Sequence, residues 1–141
     1  ANASTSANGK HGEILKISQS QNLKAGSKIT VIGSHFDSTV GIYVAMCKIV
    51  PATALPTPCG GGADKTGHLQ ASYWISSNPP PYGKGVAIPF KNSGFEVQLN
   101  VSPMIGNLDC RKIACAIYVR ADHTRTEDRD YDLKIPINFV K

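Results

Sequence analysis

Between Asp109 and Phe139 the chain alternates with a period of two on either side of a charged loop. Cys115, Ile117 and Val119 interleave with Ala116, Tyr118 and Arg120, and Leu133, Ile135, Ile137 and Phe139 interleave with Asp132, Lys134, Pro136 and Asn138. That period sets one face of a segment in an apolar interior and the other in water, as in a half-buried strand; an amphipathic helix would repeat every three to four residues instead. The same alternation marks residues 13–18, 27–33, 68–76 and 94–101. Residues 40–50 are apolar on both alternations, with Ile42, Val44 and Met46 against Tyr43, Ala45 and Cys47, so this segment reads as a central strand covered on both faces.

About seven strands with turn residues between them predict an all-β, immunoglobulin-like two-sheet sandwich. The 13 glycines and 9 prolines among 141 residues, and the absence of any sustained helical period, agree with that class. The length fits one domain, read as residues 13–141, preceded by a small and polar stretch, residues 1–12, read as a flexible leader. Within the domain, residues 77–93 form a loop insert in which Pro79, Pro80 and Pro81 favour an extended polyproline path and Gly83 and Gly85 allow a reversal. No apolar run approaches the roughly eighteen residues that read as a membrane-spanning helix.

Four cysteines without a CxxC pair read first as two disulfides, and hence as an exported protein in an oxidising compartment; zinc is the competing reading and lacks its paired knuckles. A bond between Cys110 and Cys115 would close a small loop ahead of a strand. One between Cys47 and Cys59 would tie a proline-rich loop back to its strand, contributing about 2–3 kcal/mol. The net charge of +5 comes from scattered lysines and arginines, with no basic run or aromatic-interleaved patch, so no specific nucleic-acid partner is expected.

The run AGSKITVIGSHFDSTVGIYVAMC, the Asp109-Cys110 pair with Cys115 after it, and the closing IPINF resemble the neocarzinostatin and macromomycin group of apoproteins. These are secreted actinobacterial seven-stranded sandwiches in which a cleft stores an aromatic chromophore. The resemblance implies the pairings Cys47–Cys59 and Cys110–Cys115. Two departures bear on the cleft: Ile49 stands where the family has an aromatic residue two positions after its first cysteine, and SPMIGNL replaces an aromatic-rich ribbon before the Asp-Cys pair. YGKGVAIPF, with the stretch from Cys115 to Phe139, is also similar to actinobacterial envelope proteins that accompany haem-transport-associated modules, which makes haem a possible cofactor or ligand.

In an immunoglobulin-like topology the loops after the second, fourth and sixth predicted strands leave the same end. This gathers His35, Trp74, Tyr82, Phe90, His123 and Arg125 as candidate ligand-binding residues, with aromatic area to bind and polar groups to orient. Several have a plainer role when taken singly: His123 and His35 can hydrogen-bond their own turns, Tyr82 can pack on the three prolines before it, and the mixed charges around Arg125 can satisfy one another. No nucleophile elbow, HExxH or phosphate-binding glycine loop is present, so no enzyme is expected. The leading expectation is a non-enzymatic secreted or cell-envelope module that holds a flat apolar or aromatic molecule at its loop end. The alternative is an interaction domain whose loops contact another cell-envelope protein, since Trp, Tyr and Arg are also favoured at protein interfaces. Two disulfides predict that full reduction raises the mass by about four units; four alkylatable thiols in the native protein would overturn them.

Overall fold

The computed structural model describes residues 5–51, 72–77, 81, 87–105, 108–121 and 131–140. In chain order the strands are β1 (Thr5–Asn8), β2 (Ile14–Ile17), β3 (Ser27–Ser34), β4 (Ile42–Lys48), β5 (Ser72–Ile75), β6 (Phe95–Val101), β7 (Met104–Ile105), β8 (Leu108–Asp109), β9 (Cys115–Ala121) and β10 (Leu133–Ile137). They form two four-stranded antiparallel sheets, ordered β1-β2-β3-β6 and β10-β9-β4-β5, and a two-stranded ribbon of β7 and β8. The chain is an all-β sandwich. Among the described residues no helix is long and apolar enough to cross a membrane.

Alternation decides what each strand buries. Leu15 and Ile17, Ile29 and Val31, and Val97 and Leu99 face inward from the first sheet, meeting Ile42, Val44, Met46, Ile75, Ile117, Val119 and Ile135 from the second in one core. The outward partners of the first sheet are mostly polar. Ile32 is an apolar exception at 40% exposure, standing between Lys16 and Glu96 in register, and Ile14 is another, partly exposed. β4 has a second buried face: Ala45 and Cys47 join Ala116 and Tyr118 of β9 on the outer side of their sheet, with Ile49 packed against them. Its two-sided apolar pattern therefore has a counterpart in two separate clusters.

The open sides of the sandwich are clasped. Tyr73 of β5 donates its hydroxyl to the Gln98 carbonyl of β6 at 2.6 Å, joining the edge strands of opposite sheets. On the other side the Leu23 N–H donates to the Asn138 carbonyl, the Val140 N–H to the Leu23 carbonyl and the Asn138 N–H to the Ser20 carbonyl at 2.9 Å, so residues 20–23 run beside the chain just after the last strand. Edge strands left bare would template pairing with another chain, and these contacts occupy some of the edge groups.

Two short elements differ from the sequence expectation. Residues 1–12 read as a flexible leader, yet Thr5–Asn8 pairs with all four residues of β2, and Gly9 and His11 close the turn behind it on Glu13. TSAN carries too little apolar alternation to read as a strand; backbone pairing with β2 holds it, with Ala7 packed against the core. The β7–β8 ribbon is likewise too short for a period to show. The other strands match their expected positions within a few residues, although residues 68–71 lie outside the described residues.

Cys110 and Cys115 form the expected disulfide, with Cα atoms 5.6 Å apart. The loop they close is organised by Asp109: its carboxylate accepts the Arg111 N–H and both Nε and Nη2 of the Arg111 side chain, and its carbonyl accepts the Lys112 and Ile113 N–H groups. The Arg111 side chain, followed by its N–H, holds the Asp109 carboxyl below the usual carboxylate range. Cys47 is also disulfide-bonded; Cys59, its expected partner, lies outside the described residues.

Removing the hydroxyl that ties the two edge strands together gives a direct test of the clasp. Tyr73→Phe should lower the unfolding free energy by about 0.5–1 kcal/mol, read as a lower urea midpoint with an unchanged slope. An unmoved midpoint would show that the clasp adds nothing.

Candidate functional site

The strand registers bring several connections to one end of the sandwich. Ile42, at the start of β4, lies opposite Ala121 at the end of β9 and Ile75 at the end of β5, while Ile14 pairs with Ser34 and Gly33 with Phe95. The β1–β2 turn, the turn after β3, the segment after β5 and the segment after β9 all leave from this pole. Tyr82, His123 and Arg125 lie outside the described residues.

At this pole the histidine-bearing turn and the return of the proline-rich insert meet. The Phe36 N–H donates to the Ser93 carbonyl at 2.8 Å. The Phe36 ring stands 6.4 Å from Phe90 and 5.4 Å from Phe95. Phe36 is buried, and Phe90 is partly buried and packed against the core. Residues 87–90 come back beside β5: the Ser76 N–H donates to the Ile88 carbonyl, the Ile88 N–H to the Trp74 carbonyl, and the Phe90 N–H to Ser77 Oγ at 3.1 Å.

Close backbone approach makes this meeting possible. A Cβ at Gly33 would run into the Phe95 ring, and one at Gly94 into the Gly33 carbonyl oxygen. Around this crossing His35, Asn92 and Ser93 all take left-handed backbone angles, with φ of 59°, 53° and 61°. Such angles strain a non-glycine residue, and His35 is held in one while its side chain is exposed. His11 belongs to the same pole, its ring 5.1 Å from that of Tyr131. The leader reading of residues 1–12 hid it from sequence reasoning.

Trp74 is not above the pole with His35. It lies at the rim, on the outer face of the second sheet, directly opposite Tyr43, which is itself opposite Arg120. Each of the three stands one residue from the loop-side end of its strand. The Tyr43 and Trp74 rings are 6.3 Å apart and inclined at 54°, and the Arg120 guanidinium carbon sits 5.1 Å from the Tyr43 centroid. All three side chains are partly exposed, whereas the next outward residues along β4 and β9, Ala45 and Tyr118, are buried. The result is a three-strand row of two aromatic rings and a cation, bounded on one side by a closed cluster and on the other by the loop pole. Tyr43 and Arg120 escaped the sequence reading. Tyr43 lies in a segment read as covered on both faces, and the adjacency of the two depends on strand register.

Such a row can stack against a flat π system and hydrogen-bond its edge. Among the described residues no group of three His, Cys, Asp or Glu side chains is placed to hold a metal ion.

No protein-family model matches the chain, and no curated protein matches it. Among solved structures it is similar to macromomycin, with a TM-score of 0.58 over 92% of this chain and 100% of that one, at 13% identity. At that identity the likeness is one of fold: the chain is a macromomycin-like sandwich.

The strain at the pole has a measurable consequence. His35→Gly should raise the unfolding free energy by about 1 kcal/mol, because glycine takes the left-handed angle without steric cost. A loss of stability in urea denaturation would show that the imidazole makes compensating contacts.

Proposed function

We propose that the chain is an exported, non-enzymatic binding module that holds a flat, largely apolar aromatic molecule at the loop end of its sandwich, haem or a chromophore-like compound being the candidate ligand. The observation that carries this reading is the Trp74–Tyr43–Arg120 row at the rim of the loop pole. Partly exposed rings on adjacent strands give edges and faces against which another aromatic ring can pack, beside a guanidinium. The disulfides fit an oxidising compartment.

The sandwich fold and the resemblance drawn from the cysteines and IPINF favour a carrier over a catalyst. They also make sense of the two departures. Ile49, where that family places an aromatic floor residue, packs half-buried against Ala45, Cys47, Ala116 and Tyr118, and the ribbon offers Met104 rather than a ring. In this reading the aromatic floor has moved along the sheet to Tyr43 and Trp74. His35 stands at the pole, and Tyr82, His123 and Arg125 belong to segments that leave from the same end, so they complete the proposed ligand-contacting set.

Trp74 is the only tryptophan, so its fluorescence reports directly on the proposed floor. Titration with haem should quench it with saturation at micromolar ligand and shift the Soret band. Tyr43→Ala should weaken binding by about two- to tenfold through loss of ring stacking. No change in either signal removes haem. A stoichiometric partner captured from envelope extract and lost on Trp74→Ala would favour the protein-interface alternative.

A further inference from the structure

We infer that β1 and the turn behind it, residues 5–13, form a strap that opens as a unit while the rest of the sandwich stays folded, and that the buried carboxyl of Glu13 sets how often it opens. The inference stands apart from the flat-ligand reading. β1 is the outermost strand of its sheet and pairs with β2 over four residues. Ala7 packs against the core, while Ser6 and Asn8 are exposed. One alanine methyl contributes little burial, so backbone pairing holds most of the strap, and edge segments held in that way are the first to open locally. The turn has glycines at positions 9 and 12, the latter with φ of 88°, so it bends without side-chain hindrance. Beyond it β2 is fixed by pairing with β3 and by the burial of Leu15 and Ile17, which makes Glu13 the boundary between what moves and what stays.

Glu13 is also where closure is unfavourable. It is 1% exposed; Oε1 accepts the His11 N–H at 2.9 Å and its carbonyl accepts the Gly9 N–H at 2.8 Å, but Oε2 is buried with no hydrogen-bond partner. Such an oxygen has lost its water and gained no bond in exchange. The turn lies directly over this carboxyl: Gly9 packs so closely that a Cβ there would collide with Oε1. Lifting residues 9–12 returns water to the carboxyl, whereas closing them restores the β1 pairing and the contact between the His11 and Tyr131 rings, 5.1 Å apart. Pairing is thus set against hydration at one residue. Glu13 and His35 lie one step beyond the Ile14–Ser34 pair, so the open strap presents a carboxyl beside the exposed imidazole at the loop pole and bares the backbone edge of β2.

Residue-resolved hydrogen exchange on the intact protein tests this. The amides of Gly9 and His11 report the strap, and those of β4 and β9 the core. The strap amides should be about a hundredfold or more less protected than the core, and low urea should hardly change their protection, because opening exposes little surface. Glu13→Gln keeps an oxygen for the His11 N–H and removes the anionic one, so it should raise protection of the strap about tenfold. Gly9→Ala presses on the carboxyl and should lower that protection. Strap amides with the protection and urea dependence of the core would show no separate opening, and unchanged or lowered protection in Glu13→Gln would show that the carboxyl does not drive it; either result overturns the inference. Should Glu13→Gln fail to fold, the urea series on the wild type and on Gly9→Ala decides, and protection that Gly9→Ala does not lower overturns it equally.

Discussion

β4 is pinned from two sides, and the molecule is arranged around that fact. Its even-numbered residues Ile42, Val44 and Met46 belong to the main core, while Ala45 and Cys47 are sealed in the smaller cluster on the outer face. A slip of one residue against β9 or β5 would exchange those sets and place Tyr43 in the core. Because burial on both faces opposes any slip, the register is strongly specified, and with it the alignment of Arg120, Tyr43 and Trp74. The row at the rim is thus a by-product of packing that stabilises the fold with or without a ligand.

The pole depends on a second constraint, the passage of two backbones at Gly33 and Gly94. Phe95 fills the space a side chain would need at position 33, and the Gly33 carbonyl fills it at position 94. That contact lets the chain leave the first sheet through His35 and Phe36 while the insert returns through Ser93. The cost is visible in the three left-handed residues around it, and the Phe36–Phe90–Phe95 cluster supplies apolar burial that offsets such strain. A rigid turn at the mouth of a site holds a side chain such as His35 in place without requiring a ligand to order it.

Much of this could be read directly from residue order. Alternation located seven of the strands, and the double apolar pattern of residues 40–50 identified the central one. The pair Cys110 and Cys115 was close enough in the chain to read as a local staple. What escaped had no local signal. Thr5–Asn8 offers a single apolar residue, Ala7, too little to show a period, and β2 holds the strand through backbone pairing. The packing of Phe90 beside Phe36 was equally hidden, because Phe36 comes from a different connection.

Residue order by itself determined which side chains face inward, that the chain forms strands and not helices, and that its cysteines can staple it, because these follow from a period of two and from short sequence separations. Only the tertiary structure decided which outward residues become neighbours. Arg120, Tyr43 and Trp74 come from strands far apart in the chain, and their alignment is set by the burial of the opposite faces of those same strands. Nothing in their own identity encodes it.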